Sequence, residues 1–152
     1  MAIPALKTIF LLWVCLTLPS LYAKPVKYCD KKGNYAVKVK GVEFEPDPVK
    51  PGEPAVFKIY ASSGEEISGG NVVIDVSYFG VHVHKEKIDL CQETSCPISA
   101  GSFILSHSQT LPGFTPPGLY TLKMQIQGSS DSLLTCVSFN FKIGLGSSVS
   151  AI

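Results

Sequence analysis

His82 and His84 form a His-x-His pair, and His107 is the third histidine of the chain. On an extended strand alternate residues face one side. Two imidazoles at this spacing can therefore share a metal ion, with a third ligand drawn from His107 or a carboxylate. Any strand produces the same spacing without an ion, and the pattern defines no third ligand, so no metal site is expected. Among the cysteines, Cys15, Cys29, Cys91, Cys96 and Cys136, there is no Cys-x-x-Cys pair, which argues against zinc. No Gly-x-Ser-x-Gly elbow occurs. The carboxylates are scattered over turns and polar faces, and no pair stands isolated in an apolar setting. The expectation is a protein that is not an enzyme, with no catalytic residue and no cofactor. A small hydrolase is a reading that only geometry could rescue. The chain has no arginine, the residue on which nucleic-acid readout and bidentate phosphate clamps lean, so no nucleic-acid partner is expected.

The compartment follows from the first residues. Lys7 supplies a positive start, Ile9 to Leu18 is an apolar run broken at Pro19, and Leu21-Tyr22-Ala23 offers a small residue for cleavage. This reads as a secretory signal peptide over residues 1–23, since the apolar run is too short for a membrane span. Cleavage after Ala23 leaves about 130 residues, one domain's worth. It also removes Cys15 and Trp13, the only tryptophan. Once Lys7 leaves, lysines balance carboxylates. Four cysteines remain, an even number in an exported chain, and three disulfide pairings are possible. The expected pairing is Cys91–Cys96, a local clip, with Cys29–Cys136 tying the start of the domain to its last strand. No Asn-x-Ser/Thr acceptor is present, so no N-glycan is expected.

The elements that must position these groups are strands. Ala36–Phe44 carries Val37 and Val39 on one parity and Val42 and Phe44 on the other, with a bulge or bend expected at Lys40-Gly41. Ala55–Ala61, Val72–Phe79, Val81–Leu90, Ser102–Leu111, Leu119–Gln127 and Leu133–Ile143 follow. The clearest alternation is Tyr120, Leu122, Met124 and Ile126 against Thr121, Lys123, Gln125 and Gln127. Cys136 falls on the polar parity of its strand, so its bridge should cover the outside. Pro46 to Gly52 makes a stiff turn, and Pro112-Gly113 and Pro116-Pro117-Gly118 make a rigid loop that no helix could cross. About seven short strands with no helical period give an all-β fold, an immunoglobulin-like antiparallel sandwich. Residues 144–152 form a Gly/Ser tail expected to be flexible.

The apolar strand faces could fill a solid core or line a pocket between the sheets, and pattern alone does not separate these. The residues do, however, resemble a known family. Asp-Leu-Cys91…Cys96-Pro-Ile-x-Ala-Gly101, the Thr110-Leu-Pro112 turn, Pro117-Gly118-x-Tyr120-Thr-Leu and Leu134-x-Cys136-x-x-Phe139 are similar to the ML-domain lipid-recognition family. It includes the lysosomal cholesterol carrier of Niemann–Pick type C disease, mite allergens and fungal phosphatidylglycerol/phosphatidylinositol transfer proteins. The likeness runs from Tyr28-Cys29 to Ile143, and the short form without glycosylation sites looks most like plant members. The chain departs from the mammalian carrier in lacking the small disulfide near the start of that domain. It also has Lys85 where an aromatic would be expected, which leaves a phospholipid or fatty acid open beside a sterol.

The resemblance implies an immunoglobulin-like sandwich with an apolar ligand between its sheets, and it supports the disulfide pairing above. Parity and family together place Phe57, Ile59, Ile74, Val76, Tyr78, Val81, Val83, Tyr120, Leu122, Met124, Ile126 and Phe139 around the ligand, with Phe114, Pro116 and Pro117 near a mouth. The implied role is a monomeric carrier of a sterol or phospholipid. It would touch membranes transiently, in the secretory pathway, outside the cell or in a vacuolar or lysosomal lumen. An extracellular lipid-recognition module in immunity or stress signalling is the alternative.

Overall fold

The structure is a computed structural model that describes residues 23–145. The expected signal peptide up to Tyr22, and the tail beyond Leu145, lie outside the described residues. In chain order the elements are β1 (Lys27–Tyr28), β2 (Val37–Glu45), β3 (Pro54–Ser63), β4 (Gly70–Tyr78), β5 (Val81–Asp89), α1 (Leu90–Glu93), β6 (Gly101–Thr110), β7 (Gly118–Gly128) and β8 (Leu133–Ile143). They build two antiparallel sheets, one ordered β1-β8-β7-β4-β5 and the other β2-β3-β6. The expected immunoglobulin-like sandwich is what forms.

Alternation drives this. Tyr120, Leu122, Met124 and Ile126 of β7 are all buried, while Thr121 and Lys123 between them are exposed. In β2 the parity switch is a bulge: the pairing with β3 skips a residue between Val39 and Gly41, so Val37, Val39, Val42 and Phe44 all turn inward. Gly41 is needed there because the N-terminal segment crosses it closely. A Cβ on Gly41 would stand 2.6 Å from Ala23 Cβ and 2.9 Å from the Lys24 carbonyl. That segment is held by a backbone pair, with the Lys24 N–H donating to Val42 and the Val42 N–H to Lys24.

Both expected disulfides are present, Cys29–Cys136 and Cys91–Cys96. Cys136 lies outside the inter-sheet core cluster yet is buried. The chain around Cys29 covers it, pairing its N–H with the Cys136 carbonyl at 3.0 Å.

Two elements differ from the sequence reading. β1 is an extra strand, two residues long, paired with Ser138 and Val137 of β8. The segment after Asp89 is one turn of helix, where extended chain running to Leu90 was expected. The Asp89 carboxylate caps the turn, accepting from the Cys91 N–H at 2.8 Å. Neither element is long enough to display a period.

Candidate functional site

One end of the sandwich is solid and the other is hollow. The register places the boundary. In the large sheet, Ile126 stands beside Val72 and Thr135, and Met124 stands beside Ile74 and Val137. The Ile126 rung is sealed, and on the next rung Met124 is packed at 1% exposed while Ile74 beside it already faces the hollow end. One rung further, at Leu122 and Val76, the sheets enclose a cavity of about 590 Å³ that continues past Tyr120 and Tyr78 to Ile143. In the small sheet the boundary falls between Ile59–Leu105, which are packed, and Phe57–His107, which line the space.

Of the residues expected around a ligand, Phe57, Ile74, Val76, Tyr78, Val83, Tyr120 and Leu122 line this cavity, together with Phe114 and Pro116 at its rim. Ile59, Met124, Ile126 and Phe139 do not line it. All four belong to the packed core, where Phe139 lies 5.6 Å from Phe44 between ring centres. Val81 is outside the cavity on the exposed start of β5, and Pro117 is one residue beyond the lining. Strand parity identified the inward face but carried no information on how far along each strand the packing extends. The wall also contains residues that the reading did not include: Val49, Ala55, His84, His107, Gln109, and the segment Thr110–Pro112 with Thr115, Phe141 and Ile143. Phe141 and Ile143 share the parity of Phe139, and His107 the parity of Leu105, so alternation extended to strand ends would have found them.

The rim is pinned by two tyrosines. Tyr78 and Tyr120 stack at 4.4 Å across neighbouring strands. The Tyr120 hydroxyl donates to the Pro116 carbonyl at 2.8 Å, and the Tyr78 hydroxyl donates to the Pro117 carbonyl at 2.9 Å. Gly118, at φ +135°, lets the chain turn from this proline loop into β7, where a Cβ would sit 3.3 Å from the Tyr78 ring. Phe114, on the same loop, is 87% exposed. At the tip of the β4–β5 hairpin Phe79 is 81% exposed, with its ring 4.5 Å from that of Tyr78. Burial, and then the neighbouring Tyr78, push the Tyr120 phenol above its ordinary pKa.

The histidines fall apart into separate settings. A register skip between Val76 and Ser77 pairs Ser77 with His82 and Val76 with His84, so that Val83 bulges from the ladder. His82 consequently lies on the outer face, where its ring contacts Asp75, and His84 turns toward the cavity. The expected shared face does not exist, and the pair cannot close on one ion. Among the described residues no cluster of histidine, cysteine and carboxylate has metal-binding geometry. Lys85, opposite Asp75, also points outward and does not enter the cavity. His107 is mostly buried in the wall. Its Nδ1 meets the Glu93 carboxylate at 2.6 Å and its Nε2 meets the Gln109 side chain at 3.0 Å. Neither contact is to a hydroxyl that could act as a nucleophile, and the serines flanking His107 on β6 are exposed.

Comparison with known proteins agrees with this architecture. Residues 23–143 match the family described as the ML domain. A putative phosphatidylglycerol/phosphatidylinositol transfer protein of Dictyostelium discoideum is 30% identical over 140 residues, covering 88% of this chain and 96% of its own. The MD-2-related lipid-recognition protein ROSY1 of Arabidopsis thaliana is 36% identical over 121 residues, 76% of this chain and 72% of that one. The crystal structure of a Niemann-Pick type C2 protein from Japanese carpenter ant superposes with a TM-score of 0.62 at 14% identity. It covers 79% of this chain and 99% of that one, a likeness of fold. The chain belongs to the ML-domain family, a family of lipid-binding and lipid-transfer proteins and not of enzymes.

Proposed function

We propose that this chain carries a lipid between membranes, holding a sterol or the acyl part of a phospholipid in the hollow end of the sandwich. The observation that carries the reading is the cavity of about 590 Å³ bounded by Ile74, Val76, Leu122, Phe57 and Phe141. A space of that size lies within the range of about 300–1,000 Å³ usual for ligand sites, and its walls are predominantly apolar. Enclosing roughly 300 Å² of apolar ligand surface contributes about 7 kcal/mol at about 25 cal/mol per Å², before the losses of association. A carrier needs no charged clamp at that scale, in keeping with a cavity that, among the described residues, is lined by no lysine. The named transfer activity of the Dictyostelium relative supports movement of a phospholipid, and the sterol reading rests on family resemblance.

The same reading assigns residues 1–23 to a cleaved leader, 24–143 to the lipid-binding domain and 144–152 to a tail. Two disulfides fit an oxidising compartment, and we place the protein in the secretory pathway, outside the cell or in a vacuolar or lysosomal lumen. It works as a monomer that meets membranes briefly.

The test is transfer between vesicles. Donor vesicles hold a fluorescent sterol or a fluorescent phosphatidylglycerol, and acceptor vesicles hold none. Catalytic amounts of protein should speed exchange many-fold, and native mass spectra should show one lipid per chain. A stable lipid complex with no faster exchange would favour the lipid-recognition role that the Arabidopsis relative's name describes. No bound lipid and no exchange would end the carrier reading.

A further inference from the structure

Apart from the rim residues Tyr78, Tyr120 and Thr115, the polar lining of the cavity gathers along one side, where β5 and β6 approach and α1 bridges them. His84 of β5 and His107, Gln109 and Thr110 of β6 line that side. Behind His107 stands Glu93 of α1, with the two side chains only 15% and 10% exposed. Glu86 pairs with His84 at 3.4 Å, on the strand position opposite Ile74. A carboxylate, an imidazole and an amide in series inside an apolar wall lose hydration on folding, and packing alone gives no reason to place them there.

We propose that Glu93, His107 and Gln109 form a polar subsite that receives an uncharged hydroxyl of the lipid. The inference rests on the carrier reading above. Glu93 orients His107 by accepting from Nδ1–H. The atom set against Nε2 is the Gln109 amide oxygen, at 3.0 Å. A neutral ring, whose Nε2 carries a lone pair, requires the amide turned over, so that its NH2 donates to Nε2 and its oxygen faces the cavity. When the ring is protonated, Nε2–H donates to the amide oxygen and the NH2 group is left to face the cavity. An alcohol serves both states, because it donates and accepts. A phosphate oxygen only accepts, and it would lie close to the Glu93 and Glu86 carboxylates with no lysine among the described residues of the wall to offset them. Lys85 and Lys87 stand opposite the outward-facing Asp75 and Val73, on the far face of the sheet. The subsite therefore selects a hydroxyl, either that of a sterol or that of a polyol headgroup, and leaves phosphate outside.

The experiment compares matched probes on the intact protein. Dehydroergosterol is titrated against its 3-methyl ether, and phosphatidylglycerol against phosphatidic acid with the same chains. The wild type should prefer the free alcohol about 3- to 10-fold, the range expected of one buried hydrogen bond. Preference in the sterol pair alone identifies the sterol hydroxyl, and preference in the phospholipid pair alone identifies the headgroup. Gln109→Leu should erase the preference, so that alcohol and ether bind equally. Gln109→Met, unbranched, with no donor and only a weakly accepting thioether, repeats the test should leucine disturb folding. Equal binding of alcohol and ether by the wild type, or a preference that survives in both variants, overturns the subsite while the carrier reading stands. Absence of binding by every probe overturns both.

Discussion

Tyr120 links the floor of the cavity to its rim: its ring is buried against Tyr78 and Phe141, and its hydroxyl holds the Pro116 carbonyl. Burial and Tyr78 raise its folded pKa above the ordinary phenol value of about 10. The folded state thus holds this proton more tightly than the unfolded chain does. The associated stability is fully present below about pH 10 and is lost as pH rises from there through the folded pKa. Tyr60 acts in the same direction, because its hydrogen bond to Glu43 favours the protonated phenol. Tyr120→Phe should cost about 0.5–1.5 kcal/mol at neutral pH through the lost hydrogen bond. Between pH 9 and 11 its urea midpoint should fall less steeply than the wild type's, with Tyr60 still contributing. Parallel slopes for the two proteins would contradict the assignment. At this scale the sequence showed which side chains turn inward, such as Ile74, Val76 and Leu122. It did not show that His82 and His84 part company, because the bulge at Val83 carries no glycine or proline to announce it.

At the scale of elements the long strands were legible because each runs nine or more residues with apolar side chains recurring at alternate positions, interrupted in β2 by the bulge before Gly41. The short ones were not: β1 has two residues and α1 has four. Both owe their place to cysteines. The Cys29–Cys136 bridge closes a separation of 107 residues and holds β1 on β8, while Cys91–Cys96 closes a separation of 5 around α1. In the chain-entropy model loops of these lengths contribute about 4–5 and about 2 kcal/mol. Replacing Cys29 and Cys136 together by alanine should therefore lower the unfolding free energy roughly twice as much as replacing Cys91 and Cys96. Urea titrations on the two double variants measure this, and a larger loss from the short loop would be inconsistent with it. The short-loop variant has a second expected effect. Because α1 carries Glu93, loosening it should weaken discrimination between a sterol and its methyl ether, while the long-loop variant keeps that discrimination in its folded fraction.

The whole molecule is a sandwich packed at one end and open between its sheets at the other, and this division was the part least visible in the sequence. Leu122 and Met124 sit on the same face of β7, two residues apart, and both are almost fully buried. Apolar alternation treats them alike. They differ in what lies across from them: the cavity faces Leu122, whereas Met124 is packed in the core and does not line it. The same added bulk should thus act in opposite ways at the two sites. Met124→Trp overpacks and should destabilise by about 1–3 kcal/mol, with the folded fraction still binding lipid. Leu122→Trp extends into free space, so the lipid-free protein should melt within a few degrees of the wild type while lipid affinity falls at least tenfold. Trp13 is the only native tryptophan and belongs to the expected leader, so in the processed chain the introduced indole would be the sole one. Its emission at position 122 should respond to added lipid, and at position 124 it should not. Melting curves and lipid titrations on both variants decide the matter. Equal destabilisation at the two positions, with unchanged affinity at 122, would mean that the sheets close on each other along their whole length and that no lipid lies between them.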